Sequence, residues 1–123
     1  LLRSECSLND GIRKFYPKME KADLIIFGTP NYWNGPPAKM KLLIDRMRPF
    51  VPRKKLKSKR WLIVSPSGDG PKSSSLLVQM FHLSCDYLGM KFAGKILVKA
   101  YEKGEIKNNH NALKKAFELG SSL

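Results

Sequence analysis

Two short apolar runs, Leu24-Ile25-Ile26-Phe27 and Trp61-Leu62-Ile63-Val64, each break off into a segment rich in Gly, Pro, Asn and Ser. Runs this short cannot make a helix of useful length, and they lack the alternation of a strand with one wet face. They read as strands buried on both faces, the kind found in parallel sheets, at about 24–28 and 61–65. Phe92 and Ile96-Leu97-Val98 mark a third strand within about 92–101, centred on 95–100.

Helical periodicity fills the intervals. Ile12, Phe15, Tyr16 and Met19 fall at i, i+3, i+4 and i+7 behind Asn9-Asp10, a plausible N-cap, so a helix is expected over about 10–21. Pro17 lies inside it and predicts a kink or an early break. Asn34 can cap the next helix, with Pro36 or Pro37 in its first turn. Its stripe is Met40, Leu43, Ile44 and Met47, with Lys39, Lys41, Asp45, Arg46 and Arg48 on the other side. A third helix carries Leu77, Met80, Phe81, Ser84 and Leu88 inward and stops at Gly89. A fourth, capped by Asn108 or Asn109, carries Ala112, Leu113, Ala116 and Phe117 and ends at Gly120. The order α-β-α-β-α-β-α, with long crossovers, predicts a three-layer α/β sandwich on a parallel sheet over a single domain, 1–123.

Composition excludes several alternatives. With 123 residues, 42% of them apolar, and two Trp, four Tyr and six Phe, the chain has the makings of a core. No apolar run approaches the roughly 18 to 20 residues of a membrane span, and no secretory leader is recognisable, which reads as an intracellular, cytoplasmic protein. Cys6 and Cys85 stand too far apart in sequence for a Cys-x-x-Cys or zinc pattern. Cys85, between Phe81 and Leu88 on one helical face, reads as a small buried hydrophobe. Cys6 is open to two readings, a former cluster position or an ordinary terminal residue. The formal net charge of +13 attracts phosphates, nucleic acid, anionic lipid or acidic proteins without choosing among them. Eight cations and no acid lie between Arg46 and Arg60, a stretch broken by Pro49 and Pro52 that reads as a surface connection.

In an open parallel sheet, ligands bind beyond the carboxyl ends of the strands. Two loops fall there. Thr29 to Pro37 has three prolines, a glycine and the adjacent aromatics Tyr32 and Trp33. Ser65 to Pro71 offers hydroxyls and two glycines that let a ligand approach the backbone. Walls of this kind suit a flat heteroaromatic ring with hydrogen-bonding edges, such as a flavin. His82 reads as a core or interface residue and His110 as a loop residue, while Asp45 has Lys41 or Arg48 within reach along its helix.

The stretch Ala22-Asp23-Leu24-Ile25-Ile26-Phe27-Gly28-Thr29-Pro30-Asn31-Tyr32-Trp33-Asn34-Gly35, followed by Lys41 and Asp45-Arg46, resembles a segment of the flavodoxin-like NADPH-dependent FMN reductase and iron–sulfur flavoprotein group. Leu88-Gly89-Met90 resembles a turn of the same group. The resemblance implies an FMN-binding oxidoreductase that moves electrons from NAD(P)H or a protein donor to a quinone, flavin or similar acceptor. It assigns the ring to Pro30, Asn31, Tyr32, Trp33, Asn34 and Gly35, with Ser67, Gly68, Asp69 and Gly70 on its other side. No side-chain acid or base is required, since the flavin supplies the chemistry. Basic residues near the ring would favour its anionic reduced form, and the cationic surface would attract NADPH phosphates or an acidic electron-transfer partner. The group also assembles as dimers or tetramers, and the same is expected here.

Two departures stand out. The group begins with a strand and a phosphate-cradling loop that have no counterpart after Leu1, which reads as a piece of a longer product with its first βα unit missing and the strand at 24–28 left as an edge to be covered. Its iron–sulfur members carry clustered cysteines where Cys6 stands alone, and a four-iron cluster wants four thiolates. The alternatives are a flavodoxin-like interaction module without turnover and a basic nucleic-acid-binding protein.

Overall fold

The computed structural model describes residues 6–123. Its strands β1 (Leu24–Gly28), β2 (Arg60–Ser67) and β3 (Lys91–Lys99) form one parallel sheet in the order β1-β2-β3. Helices α1 (Tyr16–Lys21), α2 (Ala38–Asp45), α3 (Ser75–Tyr87) and α4 (His110–Ser121) fill the connections. The expected order and sheet are those observed: the fold is α/β. Strand β2 is longer than expected because Arg60 pairs with Lys91 at its start and Pro66 and Ser67 continue the ladder opposite Val98 and Lys99.

Pro17 does break the first helical segment. A 3-10 turn, Gly11–Lys14, with the Asp10 carboxylate accepting from the Ile12 N–H, precedes α1, and Pro17 sits in the first turn of α1 where no N–H is needed. Of the proposed stripe, Met19 is buried and Phe15 is exposed. Asn34 does not cap α2. Pro37 occupies the N-cap position and offers only its backbone carbonyl, which accepts from Lys41. Asn109 does cap α4, accepting from the Ala112 N–H at 3.0 Å, and the helix runs through Gly120. Gly89, at φ +73°, ends α3 in the left-handed conformation that glycine adopts without steric cost.

One face of the sheet is covered by three helices. Ile25, Phe27, Trp61 and Ile63 pack under α1, α2 and α3 with Met19, Met47, Leu77 and Phe81. Phe27 and Phe81 lie 5.1 Å apart between ring centres, and His82 stands edge-on to Trp61 at 4.9 Å, an interface residue as expected. The other face carries Leu24, Ile26, Leu62, Val64 and Ile96, and α4 covers part of it. Leu119 lies where a Cβ on Gly94 would sit, 2.7 Å from Leu119 Cδ1. Ile26 is 58% exposed, so the expectation that β1 is buried on both faces is corrected. Among the described strands β1 pairs with β2 alone, which leaves its outer edge free. The expected apolar stripe of α4 is likewise exposed at Leu113 and Phe117, with Ala112 buried.

The basic connection is held by Leu56, which is fully buried, and by the Ser58 N–H donating to Gly89 O. Because the strands are parallel, this segment, Lys59, Arg60 and Lys91 all gather at the amino ends of the strands.

Candidate functional site

A cleft of about 690 Å³ opens at the opposite pole, beyond the carboxyl ends of the strands. Its walls come from three successive strand exits: Pro30 to Asn34 after β1, Pro66 to Asp69 at the end of β2 and just beyond it, and Ala100 to Lys103 after β3. Of the residues expected from sequence, Pro30, Asn31, Tyr32, Trp33, Asn34, Ser67, Gly68 and Asp69 line it. Gly35 closes the first turn from behind, and Gly70, at φ +86°, shapes the entry to the 3-10 turn Pro71–Ser74 that leads into α3.

The first wall is a tight reversal. Tyr32 N–H donates to Gly35 O at 2.8 Å and Gly35 N–H to Tyr32 O at 3.0 Å. Trp33 and Asn34, between them, have φ of +53° and +66°, the signature of a type I′ turn. Asn suits that conformation. Trp does not, and holding a bulky residue there costs about 1–2 kcal/mol. The strain is not relieved by burial, since the Trp33 indole is 99% exposed.

The floor is better ordered. Asn31 N–H donates to Pro66 O at 3.2 Å, and Asn31 Nδ2 to Ser73 O at 3.0 Å, which ties the first wall to the start of α3. Asn31 Oδ1 is buried and has no partner among the described residues. Ser67 and Ser73 hydroxyls meet at 2.7 Å, and Gly70 N–H donates to Ser67 O at 3.1 Å, closing the second wall.

The third wall was missed in the sequence. Tyr101 lies against Gly68, whose Cβ, were there one, would stand 2.9 Å from the ring. Glu105 orients this segment by accepting from the N–H groups of Glu102 and Tyr101, which hold its carboxyl below the usual range. The rule that flagged the first two exits applies equally here. Reading the third strand through residue 101 concealed that β3 ends at Lys99 and leaves Tyr101 outside it. The lining carries Lys103 with Asp69 and Glu102, and the basic run lies at the other pole.

Arg46 was also misplaced, on the polar side of α2. It is buried, its two terminal nitrogens donate to Asp10 at 2.8 and 3.0 Å, and its Nε donates to Cys6 Sγ at 3.1 Å. The Leu8 N–H, Tyr16 and Arg46 together hold the Cys6 thiol below its ordinary 9.0. Burial, with Asp86 beside it, pushes Cys85 up to about 12, in keeping with an inert thiol. Asp45 pairs with Lys41, one of its two expected partners. His110, the first residue of α4, is exposed.

Comparison with known proteins settles the family. The sequence model of NADPH-dependent FMN reductases matches residues 2–103. The chain belongs to the NADPH-dependent FMN reductase family. A relative from Bacillus subtilis, named as the NAD(P)H-dependent FMN-containing oxidoreductase YwqN, is 30% identical over 120 residues, or 91% of this chain. The chain spans 66% of that relative's length. The solved structure of the Trp repressor binding protein from Bacillus subtilis superposes with a TM-score of 0.82 at 29% identity, covering 91% of this chain and 71% of its own. A flavodoxin, the WrbA-like protein from Agrobacterium tumefaciens, shares the fold, with a TM-score of 0.59 at 24% identity over 63% of this chain and 50% of its own. The fold of this family member is therefore flavodoxin-like. Among the described residues, no helix is long and apolar enough to cross a membrane.

Proposed function

We propose that the cleft holds the isoalloxazine ring of FMN and that the protein is an NAD(P)H-dependent oxidoreductase acting on a quinone, flavin or similar acceptor. The observation that carries this reading is the pairing of a strained, wholly exposed Trp33 at the mouth with an unpartnered buried Asn31 Oδ1 in the floor. Backbone strain of this kind persists where function requires the side chain in that place. A buried acceptor without a donor costs about 1–3 kcal/mol unless a ligand supplies one.

The donor set fits a flavin. Asn31, Trp33 and Tyr32 would hold the ring, the first with its amide and the other two with their aromatic faces, and Tyr101 over Gly68 would close the far side. When bound, the flavin supplies the redox chemistry by taking two electrons from one substrate and releasing them to the next. This chain's residues orient the ring, shield part of it from water, and present Asp69, Glu102 and Lys103 around the opening. NAD(P)H or a protein donor would then approach from the open side.

Fluorescence quenching of FMN on titration with the full chain tests the reading. Trp33→Gly relieves the strain and removes the indole, so it should raise the melting temperature of the free protein while weakening FMN about tenfold, the range for one aromatic contact. Lys57→Ala, at the far pole, should leave the affinity unchanged. Absence of FMN binding would overturn the reading, and equal affinity for all three proteins would place the flavin elsewhere.

A further inference from the structure

None of the nine residues of β3 is buried, although Phe92, Ile96, Leu97 and Val98 lie within it. The cause is its place in the sheet. Among the described strands β3 pairs with β2 alone, so its outer edge is bare. Ala100 N–H donates inward to Ser67 O, and alternation along a parallel ladder then turns the N–H and C=O groups of Lys95, Leu97 and Lys99 outward. Such an edge is a template for pairing with another extended chain.

A groove of about 960 Å³ runs along this edge. Gly94, Lys95, Ile96, Leu97, Val98 and Lys99 line it consecutively, which sets the edge itself, and not one face of the strand, in its floor. The two banks differ. Ile96 and Val98 stand in register with Val64 and Pro66 on the α4 side, where Leu119 lies over Gly94. Lys95, Leu97 and Lys99 stand on the α3 side, in register with Ile63, Ser65 and Ser67.

Charge identifies the occupant. Lys72, Lys95, Lys99 and Lys115 line the groove without an acid, and none of them forms an ion pair among the described residues. Lysines along an edge deter copies of a cationic chain from pairing through it, and the same charges attract an acidic one. The bare edge of β1, Leu24–Gly28, carries no charged residue and has no such preference. We infer that β3 is a docking edge for an extended acidic segment of another protein, which joins the sheet as a fourth strand. An added strand presents alternate residues to the two banks. Its acids fall on the side of Lys95 and Lys99, and its apolar residues on the side of Ile96, Val98 and Leu119. The backbone ladder supplies affinity, and this alternation supplies specificity.

Fluorescence anisotropy of a labelled peptide of alternating glutamate and valine, as long as β3, reads the contact on titration with the full chain. Saturable binding is expected. Lys95→Gln combined with Lys99→Gln should weaken it about tenfold or more, whereas Lys54→Gln combined with Lys57→Gln, the same loss of charge at the amino pole, should leave it unchanged. A backbone N-methylated peptide keeps every side chain and has no N–H to give, so it should also bind about tenfold more weakly or worse. A thymidine oligonucleotide of equal charge should not displace the peptide. Hydrogen exchange should show new protection at the amides of Lys95, Leu97 and Lys99 in the complex. No binding, equal binding of the methylated peptide, indifference to the loss of Lys95 and Lys99, or displacement by the oligonucleotide would overturn the inference. So would protection that arises only away from β3.

Discussion

The two faces of the sheet are written in the same alphabet of Leu, Ile, Val and aromatic residues and end in different states. Under α1, α2 and α3, Phe27, Trp61, Ile63 and Phe81 form a continuous core in which aromatic rings touch one another. On the other face, α4 meets the sheet through Leu119 against Gly94, while Ile26 at the β1 end stays 58% exposed. An apolar run in sequence states what a strand requires on both sides. It does not state which part of a polypeptide provides the cover. The cleft is built on the exits of all three strands, and side-chain bonds from Asn31 to Ser73 and from Ser67 to Ser73 tie its first two walls to the start of α3 on the covered side, while Glu105 holds the third.

The sharpest way to break this comparison is to cut one residue from each face. Phe81→Ala should cost about 3–5 kcal/mol, because a fully buried ring leaves a cavity among packed neighbours. Ile26→Ala should cost about 1 kcal/mol or less, as expected of a residue still in water. Chemical denaturation of the two variants measures both. A loss at Ile26 as large as that at Phe81 would mean that this face is covered in solution. An intermediate effect is expected at a close contact of the less covered face. Gly94 has φ +153°, and a Cβ there meets Leu119 at 2.7 and 2.9 Å, so Gly94→Ala should destabilise by about 1–3 kcal/mol. Hydrogen exchange should show the loss concentrated in α4. Unchanged protection of α4 would show that this helix is held by something other than the Gly94 contact.

Most of the fold could be read from the sequence because its signals are local. Strand runs, the Pro17 break, the Gly89 stop and the Asn109 cap each depend on a few neighbouring residues. The walls of the cleft were readable for the same reason, since turn-forming residues at strand ends leave a composition signal. Tyr101 escaped because the third strand ends without such a cluster. Arg46 escaped because its burial depends on Asp10, far away in sequence, which meets it only after α1 and α2 have packed. The exposed stripe of α4 shows the converse limit. Helical periodicity identifies an apolar face and cannot say whether this chain, a second copy or another segment lies against it.

The smallest effect concerns the fringe of the covered face, where Arg46 is buried and its partner Asp10 remains half in water, with side-chain exposures of 9 and 48%. The hydrogen bonds from Arg46 hold the Asp10 carboxyl below its ordinary value of 3.8. A group with a lowered value in the folded state stabilises fully above its unfolded value, and that contribution is lost as the pH falls through the folded one. Asp10→Asn removes the carboxylate and leaves the guanidinium without its counter-charge. The variant should therefore melt below the wild type at neutral pH, by an amount that stays constant down to about pH 4 and shrinks in more acidic solution as the wild-type carboxylate takes up its proton. Melting temperatures of the two proteins between neutral and strongly acid pH decide the matter. A gap that persists unchanged at the acid end would mean that the variant loses something other than the carboxylate's charge on Arg46, and the capping bond to the Ile12 N–H, which an amide oxygen preserves, would not account for it.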